Sequence, residues 1–418
     1  MKEPKVVILG GGMVAGYAAK QLVELGLPKG ELTILSADNA APYERPPLSK
    51  SFLAGKDSEE AIKVNPEDFY REHGIELRLE TKVAGVDVKH KRLVLKHGDE
   101  IDFQKLIIAT GARPRTLNIP GSSSLANLFY LRTLEDSKKI RSGAEGTRDA
   151  LVIGGGFIGM EVAAVLAQKG IAVTMVLSDD RVFKRLFSPE MSKFFESYYA
   201  ARGVRIIKSS GVTELSGADA RGDGAVKAAV LKTGDQLQCD LVIAGIGVQP
   251  ATEVISGSGL PVGDGILVNE YLQTSHPDIY AAGDVANYQD VIFNKRRRVE
   301  HWDNAVSQGQ HCARSVMHGP TPFRHVPYFF SDVFDLSYEY WGDSSIADRV
   351  VHRGDVSSNS FSAWWLRQER VVAAFTMNRP DEERNAAPKW IELGQTITAA
   401  KLADASQPIT SASGSAAA

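Results

Sequence analysis

Two glycine-rich turns, each set between a short apolar run and an amphipathic stretch, constrain this chain more than anything else in it. The first follows KVVIL at residues 5–9 and reads GGGMVAG, leading into an amphipathic stretch through Leu25. A strand that feeds a helix through such a turn is built for a pyrophosphate. Gly10 permits the tight turn, Gly12 lets the backbone approach the anion, and Ala15 fills the small third position where helix meets strand, with Met13 and Val14 opening the helix. The helix N-terminus then faces the negative charge. One such turn can also serve tight packing alone. Here a second copy follows ALVI at residues 150–153 and reads GGGFIGMEVAAVLAQKG, with Gly154, Gly156 and Gly159 in the same register and Phe157 and Ile158 at the helix start. Two copies imply two dinucleotides, one per domain, and an oxidoreductase that passes electrons between them.

Two further segments fit a split flavin domain. LIIATGARP at residues 106–114 is an apolar strand ending in a glycine turn, with Ala109, Thr110 and Gly111 at that end; YAAGDVA at 280–286 is a second strand end carrying an acid. Such a domain needs one turn where the chain leaves for an inserted nucleotide domain and one carboxylate on its return. Asp284 would accept hydrogen bonds from the ribityl hydroxyls, and it equally suits a cap for the segment beginning near Val285.

The length of 418 residues allows two or three domains. A net charge of −3 gives no global case for nucleic acid or a membrane surface. No apolar run approaches the roughly 18 residues that span a bilayer, and signal-peptide features are lacking, so a cytoplasmic protein is expected. Cys239 and Cys312 stand far apart and outside metal or dithiol spacing, so neither a metal site nor a disulfide framework is expected. The segment SQPITSASGSAAA, residues 406–418, reads as a disordered tail.

Residues 42–50 read PYERPPLSK, a stiff charged stretch with no apolar periodicity. With it in hand, the sequence resembles the two-dinucleotide flavoprotein reductases, and within them the ferredoxin and rubredoxin reductases, apoptosis-inducing factors and monodehydroascorbate reductases. The resemblance runs over roughly residues 4–400 and is carried by GGGMVAG, PYERPPLSK, ATGARPR, GGGFIGMEVA, AAGDVA and RVEHWDNA. It implies an α/β fold of two Rossmann-like domains of the glutathione-reductase type, one inserted in the other, plus a C-terminal α+β domain. The implied divisions are 1–114 and 246–318 for FAD, 115–245 for NAD(P)H and 319–405 for the C-terminal domain.

The resemblance also assigns residues. Lys50 would stand beside the reactive edge of the flavin and pair with Glu161, where its cation stabilises the charge of reduced flavin, while Arg45 approaches the FAD phosphates or adenosine. The prolines fix the backbone beneath that lysine. The plainer reading of the pair is a surface ion bridge worth about 0–1 kcal/mol. Val83, Arg113 and Arg132 join the flavin set, Gly247 the nicotinamide set, and Glu300, His301 and Trp302 lie beside the isoalloxazine ring. Trp302 equally suits an ordinary core position. Related disulfide reductases carry a redox cysteine where this chain has ERPPLSK, which argues against thiol chemistry here.

The nicotinamide strand AVTMVL, residues 172–177, ends without an acid, and Asp179, Asp180, Arg181, Lys184 and Arg185 follow. The resemblance matches Asp179 and Arg185 to nucleotide-binding positions and favours NADH over NADPH. In the flavin half the usual ribose acid falls at Ala37, leaving Asp38 as a substitute.

For the acceptor, VFDLSYEYWGD and the segment from Val173 to Lys208 look most like plant monodehydroascorbate reductases. Those enzymes bind ascorbate with arginines where this chain has Val306 and Asp332. Phe330, Ser331 and Asp332 match instead the aromatic-Ser-Asp of ferredoxin reductases and apoptosis-inducing factors, with Phe330 covering the nicotinamide side of the flavin. A ferredoxin or rubredoxin, or another one-electron acceptor, is therefore the expected partner of a monomer or homodimer. The ascorbyl radical, and a redox-responsive interaction protein like apoptosis-inducing factor, are the alternatives. KRRR at residues 295–298 offers a cationic patch for an acidic partner, or a solvated basic turn.

Overall fold

The computed structural model describes residues 6–123, 125–217 and 224–412. Short runs without a polar face, such as VVIL and LVIA, form strands buried along their whole length, as expected for parallel sheets covered on both sides. The chain divides into two compact units.

The first unit comprises Met1–Arg45, Ser58–Arg113 and Val248–Pro327. Its central sheet runs in the order Ile279–Ala281, Lys105–Ile108, Val6–Leu9, Leu32–Leu35, Glu76–Arg78, all pairs parallel. Parallel neighbours require crossovers, and the helix Met13–Glu24 supplies the one between Val6–Leu9 and Leu32–Leu35. Both strand ends read from the sequence, at residues 106–111 and 280–284, belong to this sheet and the turns that follow it.

The second unit comprises Pro46–Asp57, Pro114–Gly247 and Tyr328–Ala418. Its parallel sheet runs Arg205–Ile207, Ala172–Val176, Asp149–Ile153, Leu241–Ala244, Leu128–Phe129. A five-stranded antiparallel sheet follows in the order Tyr328–Val333, Leu336–Gly342, Arg370–Met377, Phe361–Arg367, Arg349–Gly354. Its inner strands are almost fully buried because the helix Asp381–Leu393 lies on one side, while Phe187 and Phe195 pack against Tyr338 and Phe375.

Residues 406–412, expected without structure, instead carry a turn at Ile409–Ala412 with Ile409 only 2% exposed. The remainder of that expected tail, 413–418, lies outside the described residues. The tie is a long-range one. The Arg353 guanidinium donates to the carbonyls of Leu402 at 3.2 Å, Asp404 and Gln407, and to Glu383 at 2.9 Å. Tail composition alone could not reveal a partner some fifty residues upstream.

Arg353 and Glu383 side chains are 3% and 2% exposed, so Arg353→Ala takes one of two cations from a buried carboxylate and leaves it to Arg379 at 2.6 Å. The expected loss is about 1.5–3 kcal/mol, seen as a lower melting temperature. Burial pushes the Glu383 carboxyl up, but hydrogen bonds from Arg379 and Arg353 outweigh it and hold it below its ordinary range. A depressed carboxyl stabilises the fold above its unfolded pKa and loses that contribution as pH falls through the folded value. The melting gap between wild type and variant therefore narrows in acid; a gap independent of pH contradicts this account.

Candidate functional site

Both glycine turns have the geometry their sequence demands. Gly10 and Gly154 adopt φ of +131° and +116°. A Cβ at Gly10 would stand 2.1 Å from the Ala109 carbonyl oxygen, and one at Gly154 would stand 2.2 Å from that of Gly245. Helices Met13–Glu24 and Phe157–Gln168 start from Gly12 and Gly156, with no side-chain cap and no acid in the first turn. Their N-terminal N–H groups are thus directed at an incoming anion. A Cβ at Gly156 would meet nothing within 4 Å, and Arg45 Nη2 lies 3.7 Å from where one at Gly12 would stand. Uncapped helix ends, one with a guanidinium over it, are a donor set that suits the pyrophosphates of two dinucleotides.

The second unit also gathers a polar cluster. Pro46–Ser49 forms a single 3₁₀ turn, and the Leu48 carbonyl accepts the Ser137 hydroxyl at 2.7 Å, which pins the loop. Lys50 Nζ then reaches Glu161 Oε1 at 3.1 Å. Ser331 Oγ donates to the same oxygen at 2.5 Å, and Ser49 Oγ donates to Oε2. Glu161 is 5% exposed, and three donors satisfy a carboxylate that would be costly to bury alone. The Phe330 ring lies 5.3 Å from Lys50 Nζ. Behind Glu161, the Tyr199 hydroxyl donates to the Met160 carbonyl at 2.9 Å, and burial drives that phenol far above its ordinary range.

In the first unit, Trp302 opens the helix Trp302–His318 and is half-buried. Its indole Nε1 donates to Glu44, which also accepts the Tyr17 hydroxyl at 2.5 Å. The two rings meet edge to face at 6.3 Å. Burial, then the Glu44 hydrogen bond, pushes the Tyr17 phenol up.

The comparisons with known proteins address the whole chain. The family model described as pyridine nucleotide-disulphide oxidoreductase matches residues 4–309, and one described as reductase C-terminal matches 328–413. The chain belongs to the pyridine nucleotide-disulphide oxidoreductase family. Among its relatives, monodehydroascorbate reductase 4, peroxisomal, of Arabidopsis thaliana is 39% identical over 94% of this chain and 83% of that one. The monodehydroascorbate reductase of Pisum sativum is 36% identical over 92% and 93%. Among solved structures, the reductase of the covalent putidaredoxin reductase–putidaredoxin complex superposes with a TM-score of 0.93 at 33% identity, covering 97% of each chain. The ferredoxin reductase for the CYP199A2 system of Rhodopseudomonas palustris gives 0.92 at 33%, covering 99% of this chain and 100% of the other.

This member of the pyridine nucleotide-disulphide oxidoreductase family is an FAD-dependent NAD(P)H oxidoreductase with two Rossmann-type domains and a C-terminal reductase domain. Its two cysteines are buried and free, and burial pushes the Cys239 thiol up to about 12, which leaves it unreactive. Among the described residues no helix is long and apolar enough to cross a membrane.

In the turn after the strand Lys105–Ile108 of the first unit, Thr110 Oγ1 donates to the Ala251 carbonyl at 2.7 Å, and Gly111 has φ of +69°. Asp38 accepts the Tyr43 hydroxyl at 2.8 Å. Asp284 lies inside the turn Gly283–Val285, which Ala282 caps, so Asp284 is not a helix cap there. Arg113 is exposed and faces Glu253 at 3.1 Å. Val83 is half-buried on the strand Val83–Asp87, and the Arg132 backbone N–H donates to Asp136 at 3.1 Å. Glu300 binds Arg298 at 2.5 Å, and His301 stands at the N-cap position of the helix Trp302–His318 without a side-chain capping bond.

Beyond the strand Ala172–Val176 of the second unit, Asp179 and Arg185 are exposed. Lys184 Nζ stands 4.0 Å from Asp179 and 3.2 Å from Asp180. Gly247 has φ of +93°, and its carbonyl accepts the Arg115 N–H at 2.9 Å. Ile158 is exposed beside the uncapped helix end.

The KRRR run is tied to acceptors of its own unit, although Arg296 stays exposed. Arg296 donates to the carbonyls of Val268 and Asn287, Arg297 faces buried Asp290 at 3.3 Å, and Arg298 binds Asp264 and Glu300. Pairing of the strand Lys295–Arg297 with Ala286–Asp290 brings those acceptors in, so the run is a structural brace more than a docking patch. Ser49, Glu44 and Tyr17 escaped the sequence reading, and Ser331 was read only within the aromatic-Ser-Asp match, without its bond to Glu161. Ser49 and Glu44 sit inside PYERPPLSK, but nothing local in a serine or a lone acid announces a partner more than a hundred residues away.

Proposed function

We propose that this oxidoreductase takes its electrons from NADH and delivers them singly to a small ferredoxin-type iron–sulfur protein. The observation that carries the choice of acceptor is the pair Val306 and Asp332. Val306 packs against the apolar core of the first unit, and Asp332 is an exposed carboxylate. Neither offers a cation to the anionic ascorbyl radical. The likeness to a reductase solved with putidaredoxin supports the same choice.

When bound, FAD accepts a hydride from the nicotinamide and returns its electrons one at a time. The chain's part is to orient and to exclude water. The turns at Gly10–Ala15 and Gly154–Gly159 would hold the two pyrophosphates, with Arg45 over the first. Asp38 would serve a ribose and Asp284 the ribityl chain. Lys50, held by Glu161, would place a cation at the reactive edge, with Phe330 as an aromatic wall. An exposed Asp179 beyond the strand Ala172–Val176 supports NADH. The proposed divisions are 1–114 with 246–318 for FAD, 115–245 for nicotinamide, and 319–405 for the C-terminal domain.

The monodehydroascorbate reductase relatives, 35–39% identical, favour the ascorbyl radical as a second reading. A panel of acceptors decides: ferredoxin, rubredoxin, quinone, ferricyanide and enzymatically generated ascorbyl radical, each with NADH and NADPH. A ferredoxin-type protein is expected to give the highest kcat/KM, with NADH preferred. Ascorbyl radical as the best acceptor overturns the reading of Val306 and Asp332.

A further inference from the structure

The strand Tyr328–Val333 reaches the Lys50–Glu161 pair with two consecutive side chains. Phe330 sets its ring beside the ammonium, and Ser331 donates to the carboxylate. Ser331 is fully buried, on a strand whose neighbours Phe329 and Val333 are apolar and buried. A hydroxyl at such a position is costly unless paired, and Glu161, 170 residues earlier, is its partner. Lys50 has a long flexible stem and is 14% exposed. Its head is therefore only as well placed as the carboxylate that anchors it. A carboxylate bonded on one oxygen can still rotate, whereas Ser331 and Lys50 on Oε1 with Ser49 on Oε2 fix its plane.

We propose that Ser331 is a positioning residue for the hydride step: its hydroxyl locks Glu161, and through Glu161 the Lys50 ammonium. This rests on the reading of Lys50 given above. It also gives the C-terminal domain a share in reactions at the nicotinamide end, by one side chain. Ser49 locks the other oxygen from the loop that carries Lys50 itself, so Ser331 is the anchor that does not move with that loop.

The test uses the holoenzyme of wild type, Ser331→Ala, Ser331→Thr, Lys50→Ala and the Lys50→Ala/Ser331→Ala double variant. One readout is the rate constant for flavin bleaching by NADH. The other needs no turnover: the rate at which Lys50 is acetylated by an N-hydroxysuccinimide ester, read by peptide mass spectrometry. Ser331→Ala is expected to bleach roughly tenfold more slowly, the scale of a hydrogen bond to a charged group. Its Lys50 labels several-fold faster as the ammonium loses its fixed partner, and Ser331→Thr returns both readouts to within about twofold of wild type. Added to Lys50→Ala, the serine change costs no more than about twofold further, because both act through one constellation. Full additivity, or unchanged labelling of Lys50, overturns the positioning role. Lys50→Ala bleaching at the wild-type rate overturns instead the reading of Lys50, and labelling alone then decides whether Ser331 holds the pair.

Discussion

Lys50→Ala purifies yellow and folded, but its flavin bleaches with NADH on the order of a hundredfold more slowly than wild type, the scale of removing one preorganised charge from a reacting centre. The reason lies in the electrostatics of one small cluster. Among the described residues, Lys50 carries the only formal positive charge bonded to the buried Glu161 carboxylate, the other donors being the hydroxyls of Ser49 and Ser331. Removing the lysine deletes the cation proposed to balance charge developing on the reduced cofactor. It also leaves a buried carboxylate with no countercharge, which disfavours negative charge nearby still further. Lys50→Arg is not expected to restore the rate, because a planar fork cannot occupy the site of a compact ammonium held at 3.1 Å. FAD content stays near one per chain, since the proposed pyrophosphate contacts lie elsewhere. Stopped-flow bleaching rates equal to wild type would falsify the assigned role.

Gly154→Ala keeps its flavin but is no longer bleached by NADH at concentrations that saturate wild type, while a chemical reductant still bleaches it. Two independent obstacles act at this position. The backbone φ of +116° is strained for any residue with a Cβ, and that Cβ would stand 2.2 Å from the Gly245 carbonyl oxygen, which belongs to backbone and cannot swing aside. The turn must open, and the N–H groups at the head of the helix Phe157–Gln168 lose their aim. An effect of at least about a hundredfold on apparent NADH affinity is expected when an anion site of this kind is dismantled. Gly10→Ala, with φ of +131° and a 2.1 Å approach to the Ala109 carbonyl, should instead purify colourless. Equilibrium binding of NAD⁺ and the flavin-to-protein absorbance ratio read the two separately. If both variants lost flavin alike, the assignment of one turn to each dinucleotide would fail.

Much of the flavoprotein was legible because its signals are local. A tight turn needs glycine at Gly10 and Gly154 whatever surrounds it, and the apolar runs KVVIL and ALVI before those turns read as strands. The strand ends at Thr110 and Asp284 follow from the same logic, although the plainer reading of Asp284 as a cap gave way once Ala282 was found to start its turn. KRRR misled because composition reports charge and not partners; its guanidiniums are engaged by carbonyls and carboxylates of the same unit, Arg296 while still exposed. Residues 406–412 misled for a similar reason. Their small polar composition gives no sign of order, yet Arg353 bonds the Gln407 carbonyl, a group that every sequence possesses, and Ile409 is buried.

The sequence by itself determined that two dinucleotide turns exist, that no cysteine stands where thiol chemistry would need one, and that a lysine follows a proline-stiffened loop. These are properties of residue type and spacing. Tertiary structure alone decided who holds whom: that Ser331 and Ser49 close around Glu161, and that Glu44 ties Tyr17 to Trp302. Hydrogen bonds between distant short side chains leave no periodicity in a sequence, because their partners are chosen by the packing of sheets and not by neighbours along the chain.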